Sequence, residues 1–338
     1  MLNKKQLRGL IDTHKARAHY ERREFDKFRS WYTSCWWGDD NNDVPQGAGA
    51  GVPIESDLHF ETNYPYAFVD TMVANICPSN PKITVNPRRE EFSGPAKYRE
   101  ALINDLFHRE DAHRTLWRAS TMASIYPRSF VKTVWNFNKG SADYVVIDPR
   151  FVWFDLSVDR FEDIRYLIEV TVLTRADFNE RIKKTDPDTG EETGEYLPEV
   201  AKKAQFGAYP SWLRDESRDQ TMMNEATRDV FEWVTVYEIY DFSGEGRFFH
   251  CLADLDEPLF EGQLPYRFNR NPFHKVAFND NPRNSGGLSD VKLIQNALER
   301  LNELDTLMLW FAQTSIPITM INTGLVDNPE HIRTQIRD

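Results

Sequence analysis

No Gly-Lys dipeptide occurs in the 338 residues, so the Gly-rich turn ending in Gly-Lys-Ser/Thr that cradles nucleotide phosphates is missing. A P-loop motor or kinase is excluded on that ground. The strained Gly-x-Ser-x-Gly turn of a serine hydrolase is missing too, and the nearest stretch, Ser285-Gly286-Gly287-Leu288-Ser289, reads as a turn followed by a helix cap. Cysteine is scarce. Cys35, Cys77 and Cys251 are odd in number, widely spaced and free of any Cys-x-x-Cys pair, which argues against a zinc site and for reduced thiols. Long apolar runs are lacking: nothing approaches a bilayer span, and Met1 to Arg8 leads into a charged segment rather than a signal peptide. An excess of positive charge is lacking as well. With a formal net charge of −12, the chain is poorly suited to gripping nucleic acid through phosphate neutralisation, although DNA can pass nearby. These absences predict a non-enzymatic protein of the cytosol with no cofactor, no metal and no membrane attachment.

What is present is ordinary globular composition, 40% hydrophobic and 28% charged, in a chain long enough for two domains or one elongated one. Aromatic residues make up 13%, spread along the whole length, and large rings suit cores and subunit interfaces alike.

From Lys4 to about Trp31, apolar residues at Leu7, Leu10, Ile11, Ala18, Phe25, Phe28 and Trp31 predict an amphipathic helix. Asp39 to Gly51 is a polar, glycine-rich loop. A second helix is predicted from Tyr64 to Cys77, facing inward at Phe68, Met72 and Ile76, and a short strand at Lys82–Val85. A helix from Pro95 to about Ala123 follows, with Tyr98, Leu102, Leu106, Leu116 and Trp117 inward. Strands then dominate: Ser129–Trp135, Tyr144–Ile147, Phe151–Phe154, Ile164–Leu173, Val230–Tyr240, Arg247–Leu252 and Phe273–Phe278. Short helices interrupt them after the cap candidate Thr174 and from Glu199 to Phe206. The stretch from Asp186 to Glu192 is an acidic surface turn, since it lacks the ligand pattern of a calcium loop.

After a flexible entry at Asn284–Gly287, Ser289 caps a helix whose first turn carries Asp290, and no Pro or Gly intervenes before Pro317. An unbroken helix from Asp290 to Ser315 would be roughly 40 Å long. Its first half repeats Val291, Ile294, Leu298 and Leu301. Its second half, Leu304 to Ala312, is apolar almost all round. Two readings stay open on pattern alone: a buried core helix, or a helix that packs between subunits.

Candidate chemistry is sparse. His108 and His113 are five residues apart, a step that does not put both rings on one helix face. Asp148, Asp155, Asp159 and Asp163 could gather metal ions as nucleases do, but their places around turns favour capping and surface roles. Basic pairs such as Arg22-Arg23 read as solvated faces.

Several segments in order resemble the portal proteins of tailed bacteriophages, the head-to-tail connectors. They are Asn63–Ile76 followed by Pro81–Val85, Phe130–Trp135, Val146–Asp155, Val236–Asp241, Asn271–Phe273, and Gly287–Val291 leading through Gln295 and Asn302 to Pro317. The resemblance implies an α+β subunit: an N-terminal helix and loop at 1–62, a mixed helix and strand wing at 63–284, a long stem helix at 285–316 and the start of a clip at 317–338. It implies further elements past Asp338, a second stem helix and a crown among them. It also implies a ring, usually of twelve copies, at a capsid vertex of the virion, assembled in the host cytoplasm. Double-stranded DNA passes through that ring without sequence specificity, and the terminase large subunit, adaptor or tail proteins, and capsid and scaffolding proteins are the expected partners. On this reading Glu299, Glu303 and Asp305 face the channel, while Val291, Ile294, Leu298, Leu301, Leu307 and Trp310 pack between subunits. The alternatives are another head-tail or capsid structural protein, or a metal-dependent nucleic-acid enzyme using Asp148, Asp155 and Asp159.

Overall fold

Helix α1 spans Lys4–Tyr32 in the computed structural model, which describes residues 4–34, 62–136, 139–185, 192–210, 232–253, 255–264, 271–282 and 284–314. Its buried side chains, Leu7, Ile11, His14, Ala18, Arg22, Phe25, Phe28 and Trp31, advance by three or four residues, as one helix face requires. Arg22 was expected on a solvated face. It is buried instead, with its guanidinium 6.0 Å from the Trp153 ring centroid, and desolvation lowers its pKa to about 10.

Helix α2 spans Tyr64–Ile76, α3 Ser93–Arg109 and α4 Ala112–Ile125. Three expectations change here. The single helix from Pro95 to Ala123 is split, because Asp111 adopts the left-handed conformation at φ 47° and its carboxylate accepts the Arg114 N–H, capping α4. The inward face of α2 is Pro65, Val69 and Val73, turned away from Phe68 and Ile76, which are exposed. On α3, Tyr98 and Leu102 are exposed as well, and only Ala96 is buried. The segment Lys82–Val85 pairs with no strand among the described residues. Its backbone is held by α3 side chains: Ile83 N–H donates to Asn104 Oδ1 (2.9 Å), Asn104 Nδ2 donates to the Ile83 carbonyl (2.8 Å), and Val85 N–H donates to Glu100 (3.0 Å).

The remaining elements are β1 Ser129–Asn136, β2 Ser141–Ile147, β3 Val152–Phe154, β4 Tyr166–Thr174, α5 Arg175–Glu180, β5 Lys184–Thr185, β6 Glu192–Thr193, α6 Pro198–Ala201, β7 Trp233–Asp241, β8 Arg247–Leu252, β9 Phe260–Gln263, β10 Phe273–Val276, β11 Asn279–Asn281, β12 Asn284–Leu288, α7 Asp290–Leu293 and α8 Gln295–Thr314. Thr174 caps α5, accepting the Asp177 N–H as the sequence predicts. The helix expected to reach Phe206 is only α6. Helices hold 47% and strands 25% of the described residues, grouped rather than alternating, so the class is α+β.

All strand pairs among the described sheets are antiparallel: β3-β4-β7-β8-β9, β10-β1-β2, β11-β12 and β5-β6. Alternation along β4 divides its side chains. Ile168 and Val170, with Tyr237, Ile239, Phe249 and Cys251, face the first half of α1 at Leu7, Ile11 and Ala18. Leu167 and Leu173 face the opposite way, into two further clusters around Phe130, Phe154 and Phe273 and around Phe178, Tyr196 and Leu259. The second half of α1, at Phe25, Phe28 and Trp31, packs with Val69 and Val73 of α2, Ile125 and Tyr126, and Val291 and Leu298. Helix α1 therefore belongs to both cores, and a boundary at residue 62 separates no packing unit.

The entry to the last helices is not loose. Gly286 accepts a hydrogen bond from Arg128 (3.2 Å), Ser285 accepts one from Lys275 (2.8 Å), and Gly287 sits at φ +80° against Pro127, so close that an added Cβ would lie 2.2 Å from the Pro127 carbonyl oxygen. Only glycine fits there. The glycine-rich stretch at 47–51, residues 186–191 of the acidic turn and the expected clip at 317–338 lie outside the described residues.

Candidate assembly surface

Ser289 begins the C-terminal helices as the sequence predicts. Its Oγ accepts the Lys292 N–H (3.3 Å) and donates to the Ile125 carbonyl (2.6 Å), while Asp290 accepts from Ser124 Oγ (2.8 Å) and Asn279 Nδ2 (2.6 Å). These bonds fix the start of α7 to the end of α4. The expected unbroken helix is interrupted at Ile294, which lies at φ −99°, ψ 5° and sends its N–H back to Asp290, closing one turn before α8 begins.

The subunit-packing residues predicted from sequence fall into two groups. Val291 and Leu298 are buried in the chain's own helical core, with Ile294 partly buried beside them, so these three fasten α7 and α8 to their own subunit. They are corrected from intersubunit to internal contacts. Leu301 (43%), Leu307 (38%) and Trp310 (43%) are partly exposed, as are Leu304 (55%), Met308 (69%) and Phe311 (67%). On the opposite side Leu298, Asn302 and Thr306, four residues apart, are buried. Helix α8 thus buries one stripe and leaves six large apolar side chains exposed to different degrees on the rest.

The acids expected to face a channel do not share a face. At about 100° per residue, Asp305 lies about 160° round the helix from Glu303. Glu299 is taken up by Lys27 of α1 (3.2 Å) and Gln295 (3.0 Å), and Glu303 pairs with Arg300 (2.8 Å). Asp305 has one carboxylate oxygen buried with no hydrogen-bond partner among the described residues.

Two of the acids weighed for metal chemistry, Asp148 and Asp155, are occupied locally. Asp148 chelates the Arg150 guanidinium (2.8 Å for the closest contact), and Asp155 accepts from Ser157 (2.6 Å) and Arg165 (3.0 Å). Asp159 is exposed. Among the described residues no three His, Cys, Asp or Glu side chains converge as metal ligands. His108 and His113 lie on different helices, and His113 Nε2 is 2.9 Å from the Cys77 carbonyl.

One polar feature was not anticipated. Glu169 of β4 and Glu238 of β7 stand directly opposite in register, and Glu238 stands opposite His250 of β8. From β1, Lys132 Nζ reaches Glu169 (2.5 Å) and Glu238 (3.8 Å). Tyr240 and Thr171 hydroxyls donate to Glu238 (3.2 and 3.4 Å), and His250 Nδ1 lies 3.2 Å from the Tyr196 hydroxyl. Burial, partly offset by Lys132, raises the Glu169 pKa. This seam joins the two larger sheets. A lone charge at an inward position of three apolar strands was its sequence signal, readable only once the register was known.

His14 and His250 are both held below the ordinary histidine value of 6.5, chiefly by burial. The folded chain thus binds their protons less tightly than the unfolded chain. The stability they contribute is complete above pH 6.5 and is lost as pH falls from there through the lowered folded values. Glu169 works the opposite way, gaining stability as pH falls towards the ordinary carboxyl range. The thermal midpoint is expected to drop between about pH 7.5 and 5.5, and His14→Gln with His250→Gln should flatten that slope. An unchanged slope in the double variant refutes the assignment.

No protein-family model matches the chain, and no curated protein matches its sequence.

Proposed function

We propose that the chain is a structural subunit of portal type, one of a ring of like copies at a capsid vertex through which double-stranded DNA is packaged and ejected, and not an enzyme. The observation that carries this reading is the exposed apolar surface of α8, from Leu301 to Phe311, on a subunit whose cores are otherwise closed. An apolar surface of this kind is often one that another surface covers. The kind of assembly comes from the ordered resemblance to portal proteins, whose rings usually hold twelve copies. Terminase large subunit, adaptor or tail proteins, and capsid and scaffolding proteins are then the partners, and the virion the final location. The net charge of −12 suits a conduit, because few phosphates are neutralised and DNA is free to slide.

Electron microscopy of the purified protein, with mass from light scattering, tests the proposal. Closed rings with a central channel are expected. A monodisperse monomer at micromolar concentration refutes it.

A further inference from the structure

We infer that Lys132 and Glu169 condense to a side-chain amide that ties the two larger sheets together, with Glu238 carrying the proton. The seam holds a buried nucleophile, an acceptor and a proton carrier in contact. It is independent of the assembly reading, since a monomer and a ring hold the same three groups.

Contact is the first requirement. Lys132 Nζ lies 2.5 Å from Glu169 Oε2, and the carboxyl carbon is one bond further, close to the roughly 3–3.5 Å of a near-attack pair. Strands β1 and β4 present the two groups from separate sheets, each fixed by its own ladder. Groups held in this way react as if at about 10⁵–10⁸ M, enough to draw a condensation that dilute amines and acids do not undergo in water.

A dry setting is the second. All three side chains are almost closed off from solvent, and the Tyr240 and Phe273 ring centroids lie 5.4 and 5.2 Å from Nζ. With little water to solvate an ammonium and a carboxylate, Lys132 can pass one proton to Glu169 and leave a neutral amine beside a neutral acid. Burial favours the same state, since it raises the Glu169 pKa. The amine is then nucleophilic and the protonated carboxyl electrophilic.

Glu238 supplies the third. Its Oε2 lies 3.8 Å from Nζ, and the Tyr240 and Thr171 hydroxyls orient the carboxylate by donating to it. As Nζ bonds to the Glu169 carboxyl carbon, Glu238 takes the proton that the nitrogen sheds and returns it to the departing hydroxyl, which leaves as water. One C–N bond forms and one C–O bond breaks. The ammonium and carboxylate charges cancel, Glu238 ends as it began, and no oxidant or activated donor is needed. The ionic contact is the reactant of this step, held by the chain until the amide forms. The product links residues 37 apart in sequence, in a chain whose described cysteines, Cys77 and Cys251, are free.

Mass spectrometry of the denatured, unmutated chain tests the link, because condensation removes one water and the chain should weigh about 18 Da less than its sequence. Trypsin should then fail to cleave after Lys132 and release Ser129–Lys139 joined to Tyr166–Arg175, with fragmentation placing the bond at Lys132 and Glu169. Glu238→Gln keeps the shape of the side chain without its proton-carrying carboxylate, and should lower the linked fraction at least about tenfold. Lys132→Met removes the amine, so that variant should carry the full mass of its own sequence. An unmutated chain of full sequence mass that is cleaved after Lys132 overturns the inference and leaves an ion pair. A Glu238→Gln chain linked as completely as the unmutated one overturns the part given to Glu238.

Discussion

Lys132→Met is expected to destabilise the folded chain by roughly 3–5 kcal/mol, seen as a lower urea midpoint at unchanged m-value. The substitution keeps the length of the side chain but removes the cation between Glu169 and Glu238, which face each other across two paired strands. All three side chains are almost closed off from solvent, at 12–13% exposure, so water does not screen the repulsion left behind. The ammonium also lies 5.4 Å from the Tyr240 ring centroid and 5.2 Å from that of Phe273, contacts that methionine replaces only by dispersion. Adding Glu169→Gln should recover much of the loss, because the facing pair then carries one charge. Equal stability of the single and double variants in a double-mutant cycle counts against the charge argument.

Gly287→Ala should cost roughly 2–5 kcal/mol, combining left-handed strain with overlap against a backbone that cannot rotate aside. The obstructing atom is the Pro127 carbonyl oxygen, and the Ala277 side chain lies 3.3 Å away on the same side. Gly94→Ala is the control. It sits in α3 with open space where a Cβ would go, so alanine there should be neutral or stabilising by up to about 1 kcal/mol. Thermal midpoints that shift alike for both variants would show that the tight approach at Pro127 does not matter.

What could be read in advance was local chemistry. Thr174 and Ser289 each place a hydroxyl where a helix needs its first acceptor, and both cap as expected. The strands around Lys132 and from Arg247 to Leu252 were placed within a residue. Tertiary competition was not readable. On α2, Phe68, Met72 and Ile76 have the same four-residue spacing as Pro65, Val69 and Val73, and only the approach of α1 and α4 decides which stripe goes inside. Asp111 splits a helix through a backbone state that its neighbours impose. The apolar run from Leu304 to Phe311 was legible as a surface in want of cover, but that Leu298, Asn302 and Thr306 form the stripe turned inward was not.

Helix α1 closes two cores with partners distant in the chain: Leu7 and Ile11 meet β7 and β8, and Phe25 and Trp31 meet Val291 and Leu298. On the ribosome those partners emerge some 230 to 270 residues later, on the order of tens of seconds at typical elongation rates. Val69, Val73, Ile125 and Tyr126 reach the rings of Phe25, Phe28 and Trp31 earlier, and Val291 and Leu298 complete their cover only at the end of that interval. Helix α1 is therefore fully seated only after α7 and the start of α8 have been made, and until then part of its apolar face depends on α2 and α4 for cover.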